Sequence, residues 1–247
     1  MILSHRHRFI FIKGMKVAGT SFEMAVAPLC GPDDIVTPIS PIDELARLPA
    51  GACRNYAADR RAEADYLERL AASHPVELAA LQQPPLVYYN HMMLREVLAK
   101  AARPLDGYRV VAIERSPYAK VISWANMRLS YGAYRIGGEM RARAEDVRSA
   151  IDKGFETGLV LAARNIDRYR LPDGRLATQP LRYAALREEF TAFVRSLGVD
   201  DPPSLPHAKK GPMSDTLDPR DVLRLDQIAR INEAFAGEFD AFGYDRI

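Results

Sequence analysis

RFIFIKGMKVAGTSFEMAV, residues 8 to 26, runs from an apolar segment through a loop with two glycines and two lysines into a second apolar segment of helical spacing. The run Phe9–Ile12 is a buried-strand signal. A glycine-rich turn between a strand and a helix aims several backbone N–H groups at one place, and with the helix dipole they form an anion site. Gly14 and Gly19 permit the tight turn and the close approach of a phosphate. The usual phosphate loop reads G-x-x-x-x-G-K-[ST]. Here Gly14 and Gly19 keep that spacing, Thr20 stands where the lysine belongs, and Lys16 lies inside the loop. TSFE, residues 20–23, also reads as a capping box, with Thr20 as N-cap and Glu23 at N3. Capping explains those two residues and leaves the glycines and lysines unexplained. The lysine of a nucleoside-triphosphate loop bridges the outer phosphates, and the Ser/Thr after it holds Mg²⁺. Without a GK pair, and with Glu114 followed directly by Arg115 at the end of its strand, a kinase or ATPase using ATP is disfavoured.

Outward from that stretch, strand signals recur at 86–90 (LVYYN), 108–115 (YRVVAIER) and, more weakly, 177–186 (ATQPLRYAAL). Helical spacing joins Tyr118, Val121, Ile122, Ala125 and Leu129, and again Ile228, Ile231, Phe235, Phe239 and Phe242. Residues 57–72, 139–170 and 186–197 are helix-like, and the Pro-rich stretches 28–49 and 200–212 read as loops. Strands alternating with helices predict an α/β fold with a central, mostly parallel sheet covered on both faces. With the loop at 13–21, this is a P-loop-like three-layer fold, taken as one domain over residues 1–247. Apolar residues at 48% and charged residues at 27% give a normal globular balance. The net charge of +2 provides no global field for nucleic acid, so any anion site is local. Cys30 and Cys53 have neither metal-site spacing nor a disulfide framework. The basic N-terminus carries an apolar run too short for a signal peptide, and no segment reaches the length of a membrane span. The expectation is a cytoplasmic protein that binds neither membrane nor nucleic acid.

Five segments, in matching order along nearly the whole chain, resemble the sulfotransferases of the carbohydrate-type branch. FIKGMKVAGTSFE is similar to their 5′-phosphosulfate loop, and VVAIERSPYAKVISW, 110–124, to the motif that grips the 3′-phosphate. YYNHMMLREV, PLRYAALREEFTAFVRSLGV and FAGEFDAFGYDRI resemble the strand-end histidine, the RYEDL…LG segment and the family's C-terminal ending. Met15, Val17, Ser116 and Lys120 replace the usual Pro, Thr, Asp and Arg, and Ala184 and Ala185 replace an acidic pair. The resemblance implies 3′-phosphoadenosine 5′-phosphosulfate (PAPS) as donor, no metal, and an acceptor hydroxyl on a carbohydrate or glycosylated small molecule. It implies that Gly14, Lys16, Val17, Ala18, Gly19, Thr20 and Ser21 hold the 5′ end, with Lys16 at the bridging oxygen where charge develops. Arg115 and Ser123 would hold the 3′-phosphate, Tyr183 would stack on the adenine, and Lys210, with Lys209, would close over the nucleotide. Ser116 and Pro117 make an N-cap and N1 pair, and Ser123 lies two turns beyond Ser116 on about the same side.

The acceptor must lose a proton, and a histidine suits that near neutral pH. Of His5, His7, His74, His91 and His207, His91 directly follows an expected strand, and C-terminal strand ends line the ligand crevice of a parallel sheet. His91 is therefore the candidate base, with Glu114 in reserve. The bland alternatives are a structural His91, a Tyr183 in the core and lysines on a solvated loop; Trp124 reads as core. A non-catalytic nucleotide-binding module is the rival that the altered motifs leave open.

Overall fold

The computed structural model describes residues 1–74, 76–135, 143–206 and 218–247, with the backbone alone for 131–135. These residues form two compact units. The first takes Met1–Lys13, Ala18–Ile113 and the described part of Arg168–Ala208. The second takes Gly14–Val17 and the described parts of Glu114–Asp167 and Lys209–Ile247.

The first unit holds a four-stranded sheet in the order β3-β1-β2-β4: β1 (Ile2–Ser4), β2 (Phe9–Phe11), β3 (Ile35–Val36) and β4 (Arg109–Val111). The apolar run at 9–12 is β2, as expected. It pairs parallel with β4, Phe9 beside Arg109 and Phe11 beside Val111, and the Ile12 N–H extends the ladder to the Val111 carbonyl at 2.8 Å. The sheet is nonetheless mixed, because β1 runs antiparallel to both β2 and β3. The reason is connection length. A short turn, His5–Arg8, joins β1 to β2 and returns the chain antiparallel, whereas parallel neighbours need a long crossover. Asp34 closes that turn, accepting from the N–H groups of His5 at 2.6 Å and Arg6 at 3.0 Å.

Several expected elements differ. Residues 108–115 break into β4 and β5 (Ile113–Glu114). The weak signal at 177–186 contains only β6 (Leu181–Arg182), with the Leu181 N–H on the Ala112 carbonyl at 2.9 Å. Residues 86–90 are not a strand: Leu86 makes one isolated bridge to Ala57, and the N–H groups of Val87 and Tyr88 both turn onto the Tyr56 carbonyl. The Pro-rich stretch 28–49 carries β3 and most of α2 (Pro41–Gly51), with Pro41 at the tolerant first helical position. Helices α1 (Gly19–Val26) and α7 (Leu186–Ser196) supply an aromatic core: Phe22 stacks on Phe11 with centroids 4.0 Å apart and meets Phe190 edge-on at 5.4 Å. Helices α3 (Arg60–Ala72) and α4 (Leu94–Lys100) complete this unit.

The second unit is helical: α5 (Pro117–Arg135), α6 (Ala144–Glu156), α8 (Pro219–Val222), α9 (Leu225–Ala234) and α10 (Ala236–Phe242). The helical spacings read from the sequence are its core, Tyr118, Val121, Trp124 and Ala125 meeting Ile228, Ile231, Phe235 and Phe239. Trp124 is buried there, and Gly154 of α6 is what lets it in, since a Cβ at Gly154 would lie 2.5 Å from the indole. The expected helix over 139–170 stops at Glu156, two residues before Gly158 at φ 72°, and continues as short 3-10 turns. No helix among the described residues is long and apolar enough to cross a membrane.

Candidate functional site

The loop at 13–21 is built from its first residue. Lys13 turns inward after β2, and its Nζ lies 2.6 Å from Glu23 Oε2 on the inner face of α1, with both groups buried. The Met1 amino group sits against the other Glu23 oxygen. Burial by itself pushes the Glu23 carboxyl up; the charges of Lys13 and the amino group more than offset this and hold it down at about 2. Glu23 is thus an ion-pair partner and not the N3 residue of a capping box. Helix α1 begins at Gly19 with Ala18 as N-cap, two residues before the expected Thr20 cap, and no side chain caps it. Thr20 is buried in its first turn. Gly19 has its own reason to be glycine: a Cβ there would lie 2.5 Å from Lys13 Cγ, so the missing side chain makes way for the Lys13 stem.

The first N–H groups of a helix find no acceptor within it, and the first turn of α1 holds no acidic residue. That end therefore keeps its affinity for an anion. Lys16 and Ala18 both take left-handed backbone, φ 63° and 62°. Such conformations cost non-glycine residues about 1–3 kcal/mol and concentrate at functional sites. Val17 between them is 1% exposed, so its side chain packs inward and offers nothing to a ligand. Gly14 is buried, while Lys16 and Ser21 are half-buried.

His91 lies in a turn rather than at a strand end, and it is the third nominated residue with left-handed backbone, φ 62°. Its Nδ1–H donates to the Lys13 carbonyl at 3.1 Å, which leaves the Nε2 lone pair as the acceptor. Arg168, which the sequence reading passed over, donates from Nη1 to the His91 carbonyl at 2.6 Å and pins the turn. Burial, then the Lys13 charge, push the imidazole down to about 3, so it is neutral at pH 7. The other described histidines have local duties or none: His5 meets the Tyr108 hydroxyl, His7 donates to the Leu29 carbonyl, and His74 is exposed. Tyr183 sits half-buried in a 3-10 turn after β6 and not in the core. His207, Lys209 and Lys210 lie outside the described residues.

In the second unit Pro117 opens α5 as expected, with the Lys120 N–H on the Ser116 carbonyl at 2.9 Å. Arg115 just before the helix is 7% exposed, and Ser123 in its second turn is half-buried. Glu114 is 1% exposed; its Oε1 accepts from the Arg115 N–H at 2.8 Å and from Lys120 Nζ at 2.9 Å. Lys120 also pairs with Glu238 of α10. Burial raises the Glu114 carboxyl to about 7, with Lys120 opposing and Glu238 reinforcing the rise. A group so enclosed reaches a substrate only if the cluster opens, which weakens it as a reserve base. The signal for this cluster was present: Lys120 and Glu238 occupy core-facing positions of apolar helices, and a charge placed there needs a buried partner. No family model, curated protein or solved structure matches the chain.

Proposed function

We propose that this chain is a PAPS-dependent sulfotransferase on a P-loop-like α/β fold, transferring a sulfuryl group to a hydroxyl of a carbohydrate or glycosylated small molecule. The observation that carries the reading is the His91–Lys13 hydrogen bond. It joins the candidate base to the residue that leads into the candidate phosphate loop. The uncapped start of α1 and the strand–loop–helix order of β2 and α1, beside the parallel partner β4, support the same reading.

The donor, when bound, supplies an activated sulfuryl group on a 5′-phosphate leaving group. Backbone N–H groups of Gly14 to Ser21 would take the 5′ end. Arg115 offers a planar fork suited to the 3′-phosphate, helped by the Ser123 hydroxyl. Tyr183 would cover the adenine, and Lys210 would add charge over the nucleotide. His91 Nε2 accepts the acceptor's proton as its oxygen bonds to sulfur. The S–O bond to the phosphate breaks, its electron pair stays on the phosphate oxygen, and Lys16 steadies that charge. A neutral imidazole with a depressed pKa is ready to accept but weakly basic. A polyanion bound next to the loop opposes the Lys13 charge and raises that basicity.

Calorimetry with 3′,5′-ADP, the donor's nucleotide product, tests the reading: binding is expected without metal and unaffected by EDTA. Tighter binding of ATP that requires Mg²⁺ would sink it in favour of a kinase. A second reading, a non-catalytic nucleotide-binding module, is favoured by the low His91 pKa and the enclosure of Glu114. It is distinguished by 3′,5′-ADP binding with no sulfate transfer to any sugar acceptor offered.

A further inference from the structure

Met15 and Lys16 sit inside the second unit, and one buried side chain holds this part of the loop. Asn165 is 0% exposed. Its Oδ1 accepts from the Met15 N–H at 2.7 Å, and its Nδ2–H donates to the Met15 carbonyl at 3.1 Å. A planar amide that matches both polar groups of one residue fixes that residue's orientation as well as its position. Asn165 is itself fixed: its backbone N–H and that of Ile166 donate to Glu238 Oε1. The other Glu238 oxygen faces Lys120 Nζ, Lys120 Nζ lies 2.9 Å from Glu114 Oε1, and that oxygen accepts the Arg115 N–H. Lys120 is fully buried with both carboxylates, so none of the three can leave without stranding a charge in a low dielectric. The proline that the resembled motif has at position 15 would have no N–H to give to Asn165.

We infer that Asn165 is a positioning residue for donor binding. It clamps the loop at Met15, beside Lys16, to a buried Glu238–Lys120–Glu114 chain that ends on the backbone of Arg115. Within the second unit, the Gly14–Val17 part of the loop and Arg115 are thereby held in register by one network. This rests on the donor reading proposed above.

The test measures amide hydrogen exchange of residues 14–18 in the wild-type chain and in Asn165→Ala, with the α6 amides as an internal control. Losing two buried hydrogen bonds should speed loop exchange by roughly 10-fold or more and leave α6 unchanged. Affinity for 5′-AMP and for 3′,5′-ADP should fall by about the same factor, since the clamp acts on the loop. Asn165→Leu, with the same branching and heavy-atom count and without hydrogen bonds, repeats the measurement if the alanine variant folds poorly. Unchanged loop exchange in both variants overturns the inference. So does equal loss of protection in α6, or failure of both to fold, which would make Asn165 a core residue only. If the wild-type chain binds neither nucleotide, the donor reading fails, and the exchange measurement still decides the clamp.

Discussion

In the proposed reaction His91 carries the base chemistry, and Asn is the substitution that separates its roles. Asn tolerates left-handed backbone, and its amide N–H stands near where Nδ1–H meets the Lys13 carbonyl, but it has no Nε2. His91→Asn should leave 3′,5′-ADP affinity within about threefold, because a base used only in the transition state adds little to ground-state binding. Sulfate transfer should fall by roughly 10²- to 10⁴-fold. The same variant tests the electrostatics. The native imidazole titrates at about 3 and the unfolded one at 6.5, so between those values the unfolded chain binds the extra proton. Stability contributed at higher pH is therefore lost as pH falls through that window. Urea midpoints across it should fall less steeply for His91→Asn; an identical slope would show that His91 is not held neutral. Gly19 makes a second residue-scale case. Gly19→Ala places a methyl 2.5 Å from Lys13 Cγ, and overpacking of this kind costs about 1–3 kcal/mol. An unchanged denaturation midpoint would mean that the Lys13 stem has another path.

At the scale of the element, α5 carries one half of the proposed donor site. Pro117 presets its first turn, so Arg115 is delivered at the junction of β5 and α5, and Ser123 follows in the second turn. An Arg that reads a 3′-phosphate contributes a charge-assisted contact of roughly 1.5–3 kcal/mol, about 10- to 150-fold in affinity. Arg115→Ala should weaken 3′,5′-ADP by that factor and barely alter 5′-AMP, which lacks the 3′-phosphate. Calorimetric titrations with the two ligands separate it from an Asn165 variant, which should weaken both. Equal losses for Arg115→Ala would assign Arg115 to structure. The position of Lys120 on α5, where the resembled motif has Arg, has a plain account in this fold: the site is closed over by Glu114 and Glu238, and a compact ammonium serves both.

At the scale of the whole molecule, ionisable groups far apart in sequence set the pH behaviour. Glu114 holds its proton up to about 7 in the folded chain, against an ordinary value of 4.5. Between those values the folded state binds the proton that the unfolded state has released, so stability falls as pH rises through the window. Glu114→Gln should flatten that decline, read from denaturant midpoints on either side of it; a variant that retains the full decline would place the titration elsewhere. What the sequence determined by itself was local. A continuous apolar run marked β2, helical spacing marked α5, α7 and the 228–242 helices, and glycines with Pro117 marked the turns, because each pattern is set by neighbours within a few residues. What only the tertiary structure decided involves burial and pairing across the chain. Glu23 became the partner of Lys13 rather than a cap. β1 and β3, which no sequence pattern had marked, turned an expected parallel sheet into a mixed one. His91 moved from a strand end to a turn held by Lys13, 78 residues away, and Asn165 met Met15 across 150 positions. Lys120 and Glu238 found each other across 118. No local pattern encodes these contacts, because the free energy of burying a charge or an amide depends on which distant partner the fold delivers to it.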